Sequence, residues 1–288
     1  MLKAKKTLVI GLIAAMTMTV ALTGCGNDTV SENNENGLSG TVVIAGSTSV
    51  QPLSEELADA FMDKYPDVTV EVQGGGSGQG IKSIEQAIAD FGALSRPVKE
   101  EEKASVRTET IIAKDGVAVV VNPDCSVKDL TLEQIQKIYT GEIKNWKELG
   151  GDDAEIVVVT REEGSGTRGA FTEITKVLTK DENGNEIDQT ISQAIVQPST
   201  GAVKQTVATT PNSIGYVSLG ALDETVTAVA VEGVAPSSET VVDGTYKISR
   251  PFIYVTGTDI SKAAQVYVDF VMSEEGQSIV AEEFIPVK

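Results

Sequence analysis

Three loops rich in glycine, serine and threonine could bind an anion through their side chains and backbone. They are residues 47–49 (STS), 74–80 (GGGSGQG) and 161–167 (REEGSGT). Each loop follows a short apolar segment typical of a strand and precedes a pattern typical of a helix. A helix N-terminus presents free backbone N–H groups and a partial positive charge, so each junction is a candidate anion-binding site. Three such junctions in one chain suggest capture of a small oxyanion.

The third loop has the richest chemistry. Arg161 offers a planar fork of donors that matches phosphate or sulfate. Ser165 and Thr167 add hydroxyl groups, and Gly166 lets backbone N–H groups approach a ligand closely. The alternative is a plain helix cap in which Thr167 is the N-cap residue.

The other two loops are weaker signals when taken alone. Loop 74–80 is compatible with an ordinary turn, and loop 47–49 with a run of N-cap residues. Loop 74–80 is not a P-loop, because Ile81 separates Lys82 from the last glycine. Their recurrence at three junctions is what favours ligand binding.

Asp90 bears on which anion would bind. It ends an apparent helix and begins the segment DFGALSRP. A carboxylate beside an oxyanion is repulsive unless the ligand carries a proton, which phosphate retains near neutral pH and sulfate does not. We therefore predict that Asp90 accepts a hydrogen bond from phosphate and rejects sulfate, with Arg161 neutralising both charges. The alternative role for Asp90 is that of a turn or capping residue.

Composition excludes several kinds of enzyme. The chain has no histidine, which removes Ser-His-Asp and Cys-His catalysis and zinc sites that need histidine. Neither Ser77 nor Ser165 fits the G-x-S-x-G pattern, since Gln79 and Glu163 stand at glycine positions. A hydrolase that used either serine would need a lysine or aspartate base or a metal cluster, and no such arrangement is evident.

The charge of the chain argues against nucleic acid as a partner. The formal net charge is −19, and removal of residues 1–24, which contain three lysines and no acid, leaves −22. A binder of nucleic acid or of an acidic membrane surface is normally basic. An anion site on this protein must therefore rely on local dipoles and hydrogen bonds.

The N-terminus is typical of an exported lipoprotein. Residues 1–24 contain three early lysines and an apolar stretch that ends in Leu-Thr-Gly, directly before Cys25. This pattern resembles a bacterial lipoprotein signal, in which the cysteine becomes the lipidated first residue. Residues 25–37 then form the lipidated cysteine and a polar tether. The alternatives are an ordinary secretory signal or a helical anchor.

From residue 38 onwards, strand and helix patterns alternate, which predicts an α/β protein with mostly parallel sheet. Apolar runs at 116–122 and 213–218 are typical of buried strands. We predict that they are the two strands crossing between an outer domain, residues 38–115 plus 221–288, and an inserted inner domain, residues 116–220. Ligands of such folds bind between the domains.

Many of these motifs occur together in one known family. They include GSTSV at 46–50, DFG at 90–92, VVVTREEGSGTRGAF, QPSTGAVKQTVA, SIGYVSLGAL and SRPFIYV. The chain resembles the phosphate-binding lipoproteins of bacterial phosphate ABC transporters, which belong to the periplasmic-binding-protein superfamily. The resemblance implies a two-domain type II fold with two crossing hinge strands and a ligand cleft between the domains.

The resemblance also implies a set of site residues. In the family, phosphate is held without water by loop hydroxyls, backbone amides, one arginine and one aspartate. The matching positions here are Thr48, Ser49, Ser77, Asp90, Arg161, Ser165, Gly166 and Thr167. Ser47 is a further possible contact, and Ser95 is left open.

The implied role is transport, without catalysis or a cofactor. The expected partners are inorganic phosphate, the transmembrane permease subunits and, through them, the ATPase subunit. The protein would be a monomer, anchored by lipid outside the cytoplasm, with a Gram-positive envelope favoured. Two alternatives stay open: the same fold binding sulfate, molybdate or tungstate, and an adhesin or sensor that does not transport.

Overall fold

A computed structural model describes residues 37–288. The predicted signal peptide, Cys25 and nearly all of the tether lie outside the described residues. The strands are β1 (Gly40–Gly46), β2 (Val68–Gly74), β3 (Phe91–Leu94), β4 (Thr108–Val121), β5 (Asp129–Leu130), β6 (Val157–Arg161), β7 (Leu178–Lys180), β8 (Glu186–Asp188), β9 (Ile195–Gln197), β10 (Ser213–Ser218), β11 (Thr227–Ala228), β12 (Ala230–Val231) and β13 (Ser249–Thr256). The α-helices are α1 (Gln51–Lys64), α2 (Ser77–Glu85), α3 (Leu132–Tyr139), α4 (Gly166–Ile174), α5 (Thr200–Thr209), α6 (Ser238–Val242), α7 (Lys262–Val271) and α8 (Glu274–Glu283).

The main sheet has parallel flanks and an antiparallel centre. Its strand order is β2-β1-β3-β13-β4-β10-β6-β9, with β11 also paired to β4. On one flank β1 is parallel to β2 and β3, and on the other β6 is parallel to β9 and β10. In the centre, β4 is antiparallel to both β13 and β10. The predicted α/β class is confirmed, and the parallel flanks bring several strand ends to one edge, where α/β folds bind ligands.

The two largest of the four hydrophobic cores in the described residues lie along this sheet, and β4 contributes to both. Its first half supplies Ile112 and Ala113 to a core that also includes α1, α7 and α8. Its second half supplies Val119 and Val121 to a core that includes α3 and α4. The 14-residue length of β4 lets one strand pass from one core to the other. This is the predicted two-domain arrangement of the type II fold.

The second crossing is not where the sequence pattern placed it. Strand β10 pairs along its length with the inner half of β4, so the prediction that 213–218 crosses between domains is wrong. The chain crosses at the start of β13, where Ser249 faces Gly116. Side chains from the segment before it, including Tyr246 and Ile248, pack in the inner core. We therefore propose that the inner domain extends to residue 248, beyond the predicted limit of 220.

A buried ion pair joins the two crossing strands. The Arg250 Nη2 lies 2.9 Å from the Asp115 Oδ2, and both residues are buried. The Ser218 hydroxyl and the Leu219 N–H also donate to the Asp115 carboxylate. Burial raises the pKa of Asp115, while Arg250 opposes that shift. Arg250 and Asp115 are register partners in β13 and β4, so the ion pair links the two crossing strands.

None of the helices between residues 37 and 288 combines the length and apolar character needed to cross a membrane.

Candidate oxyanion-binding site

The three predicted strand–loop–helix junctions are present, after β1, β2 and β6, and the first two meet the residues after β3 at one edge of the sheet. Gly46 at the end of β1 lies beside Gly74 at the end of β2. The same Gly46 lies beside Ala93 of β3, so the residues that follow all three strands lie close together. Gly76, directly before α2, has φ of +86°, a conformation that glycine adopts without strain. The glycine-rich loop is therefore required by the local backbone geometry.

Three serines from the outer domain form a buried hydroxyl cluster. The Ser47 hydroxyl donates to the Ser95 Oγ at 2.8 Å, and the Ser95 N–H donates to the Ser77 Oγ at 3.1 Å. Ser77 and Ser95 are fully buried, and Ser47 is 3% exposed. Each hydroxyl has one donor hydrogen and two acceptor lone pairs, so the cluster can rearrange around a ligand.

Arg161 projects from the end of β6 and is held in a fixed orientation. Its Nε and Nη2 donate to the Glu162 carboxylate at 2.8 and 2.9 Å. The backbone N–H of Arg161 donates to the Tyr216 hydroxyl at 3.2 Å. The arginine is 1% exposed, so its charge is desolvated and its hydrogen bonds are strong. Burial, partly offset by hydrogen bonds to Thr160 and Arg161, raises the pKa of Tyr216 to about 12.

The guanidinium of Arg161 also contacts hydroxyls from both domains. Its Nη2 donates to the Thr48 Oγ1 at 3.1 Å, and its Nη1 donates to the Thr200 Oγ1 at 3.2 Å. Thr48 belongs to the first outer loop, whereas Thr200 begins α5 in the inner domain. Arg161 is thus the charged centre of a set of hydroxyl groups drawn from both sides of the cleft.

The N-terminus of α4 faces the same cluster. Ser165 is its N-cap residue and accepts a hydrogen bond from the Arg168 N–H at 3.2 Å, so Ser165, and not Thr167, has the cap position. The Thr167 hydroxyl is left to bond the Ser49 Oγ across the cleft at 2.8 Å. Gly166 and Thr167, in the first turn, contribute N–H groups that have no acceptor within the helix.

The two domains are in close contact at this point. The Gly78 N–H donates to the Gly164 carbonyl at 3.0 Å. A methyl group added to Gly166 would lie 2.2 Å from the Ser77 Oγ and 2.6 Å from the Ser95 Oγ. Only a residue without a side chain allows the helix N-terminus to approach the serine cluster so closely. Gly166 is therefore required by the contact between domains.

The structure brings together all but one of the predicted site residues. Those that meet are Thr48, Ser49, Ser77, Arg161, Ser165, Gly166 and Thr167. Ser47, predicted as a possible extra contact, belongs to the cluster as well.

The exception is Asp90, which the structure does not place with the other predicted site residues. Its carboxylate accepts a hydrogen bond from the Val43 N–H at 2.9 Å. Strand β3 lies between Asp90 and Ser95, a span of roughly 16 Å at the usual rise per residue. Asp90 is at the amino end of the strand, whereas the cluster is at the carboxyl end. Its carboxylate satisfies the Val43 N–H in the middle of β1, four residues before Ser47.

Sequence reasoning missed Thr200 and left Ser95 undecided. Thr200 follows strand β9 and opens helix α5, which is the same strand–hydroxyl–helix pattern as the other three junctions. Its loop, QPST, has no glycine before the helix and so did not stand out. Ser95 directly follows the buried strand β3, and that position was a usable signal.

This arrangement has the groups that bind an anion. The site offers one guanidinium, several hydroxyls and the N-termini of helices. Glu162, the carboxylate that contacts it, is paired with Arg161. Within residues 37–288, no group of three or more histidine, cysteine, aspartate or glutamate side chains is placed to hold a metal ion.

Comparison with known proteins identifies the family. A PBP superfamily domain matches residues 31–275. The phosphate-binding protein PstS of Bacillus subtilis is 35% identical, with 98% of this chain and 95% of that protein covered. This chain is a member of the PstS family. The predicted resemblance is thereby confirmed.

Solved structures similar to this PstS-family chain agree with the fold. One is a putative phosphate ABC transporter substrate-binding protein from Clostridium perfringens with bound phosphate, which is 44% identical, with a TM-score of 0.81 over 86% of this chain and all of that one. Another is an ABC-type phosphate transport receptor from Vibrio cholerae, 33% identical, with a TM-score of 0.70 over 86% of this chain and all of that one. The type II fold predicted from sequence is confirmed.

Proposed function

We propose that this protein binds inorganic phosphate between its two domains and delivers it to the permease of a phosphate ABC transporter, without catalysing a reaction. The observation behind the proposal is that Arg161 and hydroxyls from both domains converge on one buried point. Membership of the PstS family supports phosphate as the ligand.

In this proposal the oxygens of phosphate replace the contacts that the site residues make with one another. The Thr48 and Ser49 hydroxyls, the Thr167 hydroxyl and the N–H groups at the start of α4 donate to phosphate oxygens. Arg161 supplies the compensating charge, and its pairing with Glu162 keeps the guanidinium plane fixed. Charge-assisted hydrogen bonds of this kind are roughly twice as strong as neutral ones.

A preference for phosphate over sulfate must come from residues other than Asp90, because Asp90 is distant from the other site residues. We assign it to the hydroxyl cluster of Ser47, Ser77 and Ser95. A hydroxyl whose hydrogen is committed to a neighbour presents a lone pair, which accepts from a protonated phosphate oxygen and repels a sulfate oxygen. Because hydroxyls rotate, this filter is weaker than a fixed carboxylate, and we expect sulfate to bind weakly but measurably.

Calorimetric titration tests the proposal. The full chain, purified in detergent and refolded to remove any bound anion, is titrated with phosphate and then with sulfate. We expect one phosphate per chain. Arg161→Met should weaken binding by roughly 100-fold or more, because it removes charged hydrogen bonds. Arg107→Met is the control, since Arg107 is exposed and pairs with Asp259. Absence of phosphate binding by the unmodified chain would refute the proposal.

We also propose that Cys25 is lipidated and holds the protein on the outer face of the cell membrane. The pattern of residues 1–25 supports this. Metabolic labelling with a fatty acid should mark the wild-type protein and not Cys25→Ser. A Cys25→Ser protein that stays labelled and membrane-bound would contradict the proposal.

A further inference from the structure

Thr200 opens helix α5 but is not needed to cap it. Ser199 is the N-cap residue and accepts a hydrogen bond from the Ala202 N–H at 3.1 Å. The hydroxyl of Thr200 therefore does not make the N-cap hydrogen bond of this helix. Thr200 is only 3% exposed, so its hydroxyl must find partners inside the protein.

Each of these partners is a residue of the oxyanion site. The Thr200 Oγ1 accepts from Arg161 Nη1 at 3.2 Å and bonds the Ser49 Oγ at 2.8 Å. The Thr200 backbone N–H donates to the Thr48 Oγ1 at 3.2 Å. Thr200 thus contacts the charged centre of its own domain and two hydroxyls of the opposite domain.

Other threonines of α5 behave differently. The Thr206 hydroxyl donates to the Ala202 carbonyl, and the Thr209 hydroxyl donates to the Gln205 carbonyl, both at 2.8 Å. Bonding a carbonyl four residues earlier is the ordinary use of threonine within a helix. The contacts of Thr200 therefore reflect its place beside the site and are not a general property of this helix.

We propose that Thr200 is a further oxyanion-binding residue, which makes the start of α5 a fourth strand–loop–helix junction of the site. This inference rests on the proposed phosphate function. In the bound state, phosphate oxygens replace Thr48 and Ser49 as the partners of Thr200. They accept hydrogen bonds from the Thr200 hydroxyl and from the Thr200 backbone N–H. The positive end of the α5 dipole adds to the attraction.

Substitution of the hydroxyl tests this role. In the full chain, Thr200→Val keeps the branched shape and the backbone N–H but removes the hydroxyl, and we expect a 10- to 100-fold rise in the Kd for inorganic phosphate. Thr200→Ser should restore the Kd to within about threefold of the unsubstituted chain. Thr206→Val is the matched control on the same helix and should leave the Kd unchanged. Thermal melting confirms that each variant is folded.

Two outcomes would overturn the inference. If the Thr200→Val protein binds phosphate as tightly as the unsubstituted chain, the Thr200 hydroxyl does not contribute to phosphate binding. A Thr200→Ser protein as weak as Thr200→Val would show that a hydroxyl at this position does not restore binding, which overturns the inference. Failure of the unsubstituted chain to bind phosphate is a separate result, which refutes the proposed function itself.

Discussion

Replacement of Gly166 by alanine should separate ligand binding from folding. The new methyl group would overlap two buried oxygens, at 2.2 Å from the Ser77 Oγ and 2.6 Å from the Ser95 Oγ. An ordinary contact is longer than 3.4 Å, so α4 and the serine cluster must separate by about 1 Å. The Ser77 side chain can rotate away, but its oxygen then loses the hydrogen bond from the Ser95 N–H. Either response damages the site.

The expected magnitude follows from the cost of overpacking. Inserting a methyl group at a well-packed contact typically costs about 1–3 kcal/mol. The clash lies between the two domains, so its cost falls on closure around the ligand and not on the folding of either domain. This corresponds to a rise of about 5- to 150-fold in the Kd for phosphate.

The assay is calorimetric titration with phosphate, paired with thermal melting of each variant. Gly169→Ala is the matched control, because it lies on the same helix and its added methyl would meet the Arg96 Cδ at an ordinary 3.6 Å. We expect Gly169→Ala to bind normally and Gly166→Ala to bind weakly with an unchanged melting temperature. Normal phosphate binding by Gly166→Ala would refute the argument that this contact closes over the ligand.

Three further predictions concern residues outside the anion contacts. Asp90→Asn should leave the Kd for phosphate within about twofold of that of the unsubstituted chain, as measured by titration. A large loss of affinity would show that Asp90 contributes to phosphate binding. Arg250→Met should lower the free energy of unfolding by about 3–5 kcal/mol in urea, because it leaves Asp115 buried without its partner, and an unchanged midpoint would contradict this. Burial alone would raise the pKa of Glu102, but hydrogen bonds and the ion pair with Arg96 outweigh it and hold that pKa below its usual value. The ionised form therefore stabilises the fold above the unfolded-state pKa, and we expect Glu102→Gln to reduce the loss of stability between about pH 5 and pH 3; an identical pH profile would show that the pair contributes nothing.

The junctions could be predicted from sequence because their signals are local. An apolar run followed by glycines and hydroxyl residues specifies where a strand ends and a helix begins, as at Gly46 and Ser77. Parallel pairing then places those ends side by side. The same reasoning found Arg161, which ends strand β6, and Thr167, which lies in the first turn of α4.

The errors arose where the local pattern was compatible with two arrangements. Asp90 and Ser95 are close in sequence, but they flank the four-residue strand β3 and therefore lie at its opposite ends. The run 213–218 is apolar because it is buried, and a strand that stays within one domain has the same pattern as one that crosses. The crossing at Ser249 depends on pairing with Gly116, more than 130 residues earlier, which no local signal reports.

The most direct test of the account is a crystal structure of the protein with phosphate. We predict a tetrahedral anion between the domains, within hydrogen-bond distance of Arg161, Ser49, Thr167 and Thr200, with Asp90 distant from it at the amino end of β3. An anion located elsewhere, or one that leaves Arg161 paired only with Glu162, would contradict the central claim that these loops form the phosphate site.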